Sequence, residues 1–480
     1  MADTTPLVCI CGAGPAGALA ALYLAQRNCN VVLVEKAPID KDAMGTTVGP
    51  RTYNILLAKR SLLALEGAGV KLGDDESIMI THIVRYRKGA KKFMAFPAHV
   101  PWSRTINRGS LAGLLVRACE AYAGGKQQGS GSIKLRTGYS LSQLDVAARK
   151  ATFAPVGADS SSQGQGQAGG EPFTLTYDLI IGADGTFSRL RQVLSEDAGV
   201  KASPEGPLTF TQEQDTMMYK PFTLASLQGL SIPLENVGSK FVVLADPKRN
   251  HSLFIFPTKD GVHRGTYLMP DGDHASHKSE SDYVASLSDS FPVLNQAQLR
   301  EIAAQLPGTP ASSGGFNTRC SRLHAPGALL IGDAAHAMWP SLGQGASSAL
   351  EDCAVLGKLL GPGPVSKAQL EALPAAFSAA RHADVVAAVD LTEAGFGGKM
   401  QRTRAASPIN LHMARFIGQM LLSKALPFLV PKPALMTLND TTTPYTVVQH
   451  RVERQRVGGN IVLGGLALLA AYGVARAVMP

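Results

Sequence analysis

Gly12-Ala-Gly-Pro-Ala-Gly17 constrains the fold of this chain more than any other stretch. The apolar run Leu7-Val-Cys-Ile-Cys11 precedes it, and a helical pattern through Leu24 and a second apolar run, Val31-Val-Leu-Val-Glu35, follow. The three glycines have separate physical reasons. Gly12 permits a tight turn, Gly14 lets backbone approach a pyrophosphate, and Gly17 lets the helix pack closely on the strand. The free N–H groups and dipole of the helix start favour an anion there. Glu35 ends the second strand, where a carboxylate can accept hydrogen bonds from a ribose. This strand–helix–strand unit predicts a parallel sheet, with Gly12, Gly14, Pro15, Ala16, Gly17 and Glu35 holding a dinucleotide.

Two further strand–turn–helix units follow at long intervals. Asp178-Leu-Ile-Ile-Gly-Ala-Asp-Gly-Thr-Phe-Ser-Arg-Leu-Arg191 places Asp184-Gly185 at a strand's carboxyl end, where parallel sheets bind ligands. The run Ala328–Ile331 delivers Gly332-Asp333, then a loop with Pro340, Gly343 and Gly345, then a helix from Ala346. That loop ends at a helix N-terminus and suits a negative or electron-rich ligand edge.

The segments between these units change character. Gly49–Leu57, which contains Arg51, leads into a helix ending near Gly67. Met79–Arg87 alternates as one strand, with Lys91–Pro97 as its partner. Arg108 opens the helix Ser110–Tyr122, and Ile133–Thr137 and Leu144–Phe153 read as strands. Gly124–Ser132 and Pro155–Gly170 are Gly/Ser/Gln-rich loops. Phe241–Leu244, Ser252–Phe256 and Gly265–Met269 predict an antiparallel sheet, Ser281–Leu306 is helical, and Val365–Met400 and Pro408–Leu429 read as closing helices.

The predicted class is therefore α/β. A Rossmann-like nucleotide-binding domain (1–75, 103–195 and 311–362) is interleaved with a mixed or antiparallel-sheet substrate domain (76–102 and 196–310). A helical region (363–456) follows. Residues 457–475 carry no charge, follow Arg451, Arg454 and Arg456, and are close to the ~20 apolar residues of a bilayer-spanning helix. A single C-terminal anchor, basic flank on the cytosolic side, is expected. Asn460 and paired glycines weaken the signal, and a buried core helix is the alternative.

Composition excludes other classes. At 45% hydrophobic and 17% charged residues, 480 residues build a large core rather than a disordered chain. The net charge of +9 is scattered, densest at Arg85–Lys92, without the basic stripe and interleaved aromatics of a nucleic-acid binder. Six cysteines show no CxxC pair and read as reduced, buried thiols, and no metal-ligand spacing occurs. His336 lies in a small-residue loop and reads as structural rather than as a general base. Glu351 and Asp352 read as helix caps or surface charges.

Taken in order, the three motifs resemble those of the single-component FAD-dependent aromatic hydroxylases (group A flavoprotein monooxygenases). Within them Arg51-Thr-Tyr-Asn54, Gly332-Asp-Ala-Ala-His-Ala337, Gly343-Gln-Gly345, Glu351-Asp-Cys353 and the basic, then apolar C-terminus are most similar to the kynurenine 3-monooxygenases. The resemblance implies that the first motif holds the ADP pyrophosphate and Glu35 the ribose. It puts Arg51 and Arg108 near the phosphates and ribityl chain, Asp184 and Gly185 in the cofactor site, and Asp333 on the ribityl hydroxyls. Pro340, Gly343, Gln344 and Gly345 would face the isoalloxazine. It also implies NADPH as co-substrate, O2, and transfer of one oxygen to an aromatic ring through a flavin C4a-hydroperoxide. The membrane would be the mitochondrial outer membrane or the endoplasmic reticulum.

The resemblance departs at the substrate clamp, where kynurenine hydroxylases hold the amino-acid carboxylate with an arginine and tyrosines. Here either Ile83 or Arg85 occupies the arginine's place, Trp102 stands near one tyrosine and Ala434 near the other. Arg85, Trp102, Tyr219, Phe256 and Trp339 are the candidate pocket residues; an aromatic, kynurenine-like substrate is the expectation, and the altered clamp leaves room for a different, more apolar one. Two alternatives remain: a flavoprotein hydroxylase or epoxidase acting on a quinone, polyprenyl or other membrane lipid, and a non-catalytic FAD-binding interaction protein.

Overall fold

A computed structural model describes residues 5–37, 39, 53–98, 102–124, 131–156, 170–394, 418–423 and 442–458, with a few further positions between 425 and 438. Its centre is a six-stranded sheet in the order Ile133–Thr137, Asn30–Glu35, Leu7–Cys11, Leu179–Gly182, Ala328–Leu330, His324–Ala325. All pairs are parallel except the last. Strands buried on both faces in such a sheet are continuous apolar runs, and Val8 to Cys11 and Leu179 to Ile181 are buried throughout. The helix Pro15–Ala25 packs on this sheet with Gly345–Leu360 and Arg108–Gly124 beside it.

The second large unit is a seven-stranded sheet: Ser312–Ser313, Met217–Leu224, His263–Pro270, His251–Pro257, Lys240–Asp246, His82–Arg87, Met94–Pro97. It is mixed, because His82–Arg87 pairs parallel with Lys240–Asp246 while the other pairs are antiparallel. One face is covered by the helices Glu280–Ser290 and Gln296–Gln305, against which Val84, Tyr86, Leu244, Leu253, Ile255 and Tyr267 are buried. Period-two alternation leaves the opposite face for other partners.

Three sequence expectations need correction. Met79–Arg87 is not one strand: Ile78–Met79 pairs with Arg104–Asn107, and His82–Arg87 joins the large sheet. The chain changes sheets where Ile80 N–H donates to Ser103 and Thr81 N–H to Ser239, a break that alternation does not register. Leu144–Phe153 is two strands, Tyr139–Asp145 and Lys150–Pro155, with Arg149 at φ 52° in the turn. Ser281–Leu306 is two helices, parted at Phe291–Leu294, where Pro292 supplies no N–H.

All six cysteines are buried and unpaired. The anchor expected over 457–475 lies outside the described residues except for Val457 and Gly458, and no helix among the described residues is long and apolar enough to cross a membrane.

The seven-stranded half contains His251, His263 and His274, all buried. Burial lowers the pKa of each, that of His274 to about 4, with Lys220 adding to it. The unfolded chain binds these protons near pH 6.5, so it holds more protons than the folded one below that pH. Stability should therefore fall as pH drops from 7 to 5, by about 2 kcal/mol through His274 alone. Urea unfolding of the wild type and His274→Gln at both pH values checks this; equal declines in the two proteins would refute it.

Candidate active site

Register brings the three motifs to one height. Cys11 lies opposite both Gly182 and Val34, and Gly182 opposite Leu330. Ala183 N–H donates to Cys11 at 2.8 Å and Ile331 N–H to Gly182 at 2.9 Å. The chains leaving these strands, at Gly12, Ala183-Asp184 and Gly332-Asp333, therefore share one crevice at the sheet's carboxyl edge.

Glycine is required there. Gly12 has φ 100°, and a Cβ on it would lie 2.3 Å from the Ala183 carbonyl oxygen; one on Gly17 would lie 1.9 Å from that of Gly12. Gly332 has φ 57° and faces Ala16 of the first loop and Ala349 of the following helix. Glu35 accepts from Ala13 N–H at 2.9 Å and Ala37 N–H at 3.0 Å, which fixes its carboxylate beside the first loop. The Arg108 guanidinium comes within 4.0 Å of the Cβ position of Gly14. Arg51 lies outside the described residues. Pro15 is the first residue of an 11-residue helix whose start, at Gly14, has no side-chain cap.

Asp184 spends one carboxylate oxygen on Arg189 N–H (2.7 Å) and Leu190 N–H (3.2 Å), while the other is buried without a hydrogen-bond partner. Gly185, at φ 82°, turns the chain away. A buried acceptor lacking a donor is costly, and a nucleotide's sugar hydroxyls would satisfy it. Half-buried Asp333 opens the short helix Asp333–His336 in the same crevice. A glycine cradle at a helix start, a nearby arginine and carboxylates for hydroxyls fit a dinucleotide such as FAD.

The third loop ends at the 16-residue helix Gly345–Leu360. Pro340 and Gly343 are exposed, Gly343 at φ 64°, while Gln344 is 1% exposed. The ring of Pro340 packs near Gly315, between the small strands that connect the two halves. The loop thus turns its backbone outward and its one amide side chain inward.

Behind the crevice lies a charge network that the sequence did not disclose. Asp352, expected as a cap or surface charge, is fully buried. It accepts from Gly332 N–H (2.8 Å), His336 Nε2 (2.6 Å) and Arg381 Nε (2.8 Å). Burial pushes its pKa up, but His336 and Arg381 reverse this and hold it below the ordinary carboxylate range. Glu351 pairs with both Arg60 and Arg381. Buried Arg191 donates to the carbonyls of Ala334 (2.7 Å) and Thr186 (2.8 Å), tying the second and third motif loops together.

The proposed pocket residues divide. In the seven-stranded sheet, Arg85 lies opposite Val243 and Ile83 opposite Phe241; Phe254 follows opposite Val243, and Leu268 lies opposite Tyr219. Phe241 and Phe256 stack with centroids 4.1 Å apart. Alternation therefore puts Arg85, Ile83, Phe256 and Tyr219 on the face away from the helices. Tyr219 meets Tyr53 edge to face at 6.1 Å, and Tyr53 accepts the N–H of Arg108, so this face adjoins the nucleotide-binding half. Trp102 is elsewhere, half-buried against the first core with Lys59 5.1 Å over its ring. Trp339 is 2% exposed, a core side chain rather than an open pocket wall.

The crevice adjoins a mixed sheet whose other face carries the helices Glu280–Ser290 and Gln296–Gln305. A family model described as an FAD binding domain matches residues 143–392, just over half the chain. Kynurenine 3-monooxygenase of Salinispora arenicola is 30% identical over 485 residues, covering 97% of this chain and 96% of that protein. Among solved structures, 2-methyl-3-hydroxypyridine-5-carboxylic acid oxygenase matches with a TM-score of 0.62 at 19% identity, over 85% of this chain and 94% of that one. Klebsiella pneumoniae HpxO complexed with FAD matches with a TM-score of 0.58 at 17% identity, over 83% and 93%. The chain belongs to the FAD-dependent aromatic hydroxylases, resembles the kynurenine 3-monooxygenases within them, and uses FAD.

Two outcomes are expected. Gly12→Ala should purify with less than about a tenth of the wild-type flavin, because its Cβ cannot coexist with the Ala183 carbonyl; visible absorbance per polypeptide measures this. Arg381→Met should cost about 3 kcal/mol or more, because it leaves buried Asp352 and Glu351 without their shared cation. Denaturant unfolding of flavin-free protein, wild type against variant, reads the difference.

Proposed function

We propose that this hydroxylase acts on a planar aromatic substrate bearing a carboxylate, as kynurenine does, with NADPH as reductant: substrate, O2, NADPH and a proton give hydroxylated product, NADP+ and water. The observation carrying this reading is the sheet face away from the helices, where the half-buried cation of Arg85 stands with Ile83, Phe241, Phe256 and Tyr219 next to the crevice. FAD, when bound, supplies the redox and oxygen-activating chemistry.

The chain supplies binding, orientation and exclusion of water. Gly12, Gly14, Pro15, Ala16, Gly17 and Arg108 hold the pyrophosphate, and Glu35 the adenosine ribose. Asp184, Gly185, Gly332 and Asp333 take the remaining sugar and ribityl hydroxyls, and Arg51 belongs to this set by resemblance. Pro340 and Gly343 shape the loop, and the backbone N–H groups at the helix start, Gln344 and Gly345, stabilise negative charge on the edge they face, as an oxyanion hole does. The Phe241–Phe256 stack and Tyr219 hold an aromatic ring and keep the pocket dry. Arg85 keeps its charge in spite of burial, which lowers its pKa, and pairs with the carboxylate.

The same aromatic wall favours a second reading, in which the substrate is a quinone or other apolar ring drawn from a membrane. The 457–475 segment, with its basic flank, supports attachment by a C-terminal anchor with the catalytic part facing the cytosol. Truncation before Val457 should then move the protein from the membrane to the soluble fraction.

The deciding measurement is substrate-stimulated NADPH oxidation by the FAD-loaded protein. L-kynurenine should accelerate it at least about tenfold, and Arg85→Met should raise the kynurenine KM by about 30-fold, the loss of one charged hydrogen-bonded pair. Acceleration by neutral quinones but not by kynurenine would establish the second reading instead.

A further inference from the structure

The C-terminal helix over 445–458 begins on a residue that touches the outward-turned loop. Tyr445 is fully buried, in a cluster with Met338 from the start of that loop and with Ala387, Ala388 and Leu391 of the helix Lys367–Ala394. Its hydroxyl donates to Gln344 Oε1 at 3.1 Å, and Gln344 Nε2 donates to the Leu342 carbonyl at 3.2 Å. A hydroxyl donor fixes which end of an amide is the acceptor, so the Tyr445 bond sets the Gln344 NH2 toward Leu342 and closes the turn Pro340–Leu342 against the helix start at Gly345.

Two guanidinium groups lie near the ring of Tyr445. Arg60 lies over it at 4.0 Å and Arg381 at 5.9 Å. Arg60 is fastened by Glu351 at 2.7 and 2.8 Å and by the Thr443 carbonyl at 3.0 Å. Arg381 is fastened by Asp352, by Asp384 at 2.6 Å and by Ser348. Asp384 in turn accepts Thr446 N–H at 2.9 Å. The network behind the crevice therefore grips the C-terminal helix, and that helix grips the loop. Burial raises the Tyr445 pKa, so the hydroxyl remains a donor at any physiological pH.

We propose that Tyr445 is a positioning residue for the flavin-facing loop, acting through Gln344, and that the C-terminal helix is a working part of the active site rather than a spacer. The inference rests on the reading of Pro340–Gly345 as the loop along the flavin ring. It implies that Tyr445 governs how the loop's N–H donors are presented, and hence how well oxygen transfer is protected from leakage to hydrogen peroxide.

The test uses full-length Tyr445→Phe, which keeps the ring beside the two arginines and removes only the hydroxyl. Amide hydrogen exchange of 341–346 should quicken about fivefold, with and without FAD, the scale of one hydrogen bond. Hydrogen peroxide released per NADPH should rise severalfold, the bound flavin's visible spectrum should shift, and substrate KM should stay within about twofold. In a Gln344→Ala background, Tyr445→Phe should add nothing to either exchange or leakage. Unchanged exchange in Tyr445→Phe, an undiminished effect in Gln344→Ala, or quickened exchange with unaltered spectrum and leakage would each overturn the proposal. Protection of 341–346 on adding FAD to the wild type tests the underlying reading separately; its absence would remove the loop from the flavin ring.

Discussion

A carboxylate without solvent has to be met by donors on every side, and at Asp352 those donors come from three parts of the fold. The Gly332 N–H belongs to the end of a central strand, His336 to the short turn beyond it, and Arg381 to a helix nearly thirty residues on. Meeting them fixes the strand end, the loop and two helices in a single arrangement. The crevice is thus shaped by glycines on its inner surface and by a buried charge network behind it. The two are linked through Gly332, whose backbone serves both.

What could be read from the residues follows from how local the requirement is. Gly12 and Gly17 stand where backbone crowds backbone and Gly332 where φ is positive, demands that leave a mark at one position and at fixed offsets from it. The three strand ends were legible for that reason, and so was their common edge. The network was not, because its pairs are remote in sequence: Arg60 and Glu351 are 291 residues apart, and nothing near either announces the other. Glu351 and Asp352 sit on an amphipathic helix, where charge by default means solvent. The sheet change at Ile80–Thr81 was hidden for a third reason, since both strands share one alternation and only their hydrogen-bond partners differ.

The substrate half shows the same limit. Alternation predicted the strands, and pairing was needed to show that Arg85, Phe256 and Tyr219 share a face while Trp102 and Trp339 do not. Trp102 was a pocket candidate by its place near the family's tyrosine, and Trp339 by its place in the third loop. One supports a lysine against the first core and the other fills the interior behind the loop, as bulky side chains commonly do.

The order of the central strands has a consequence for biogenesis. Leu7–Cys11 emerges first, yet one neighbour, Leu179–Gly182, lies some 170 residues later, and that strand's own neighbour, Ala328–Leu330, another 150. At synthesis rates of roughly 5–20 residues per second, the first strand waits about 10–35 seconds for that neighbour. The sheet as a whole waits until two-thirds of the chain is out, and the helix carrying Tyr445 comes later still. During that interval the apolar edge of Val8–Cys11 is unpaired on the ribosome, so the nascent chain is a natural client for chaperones, and the crevice is among the last features of the molecule to exist.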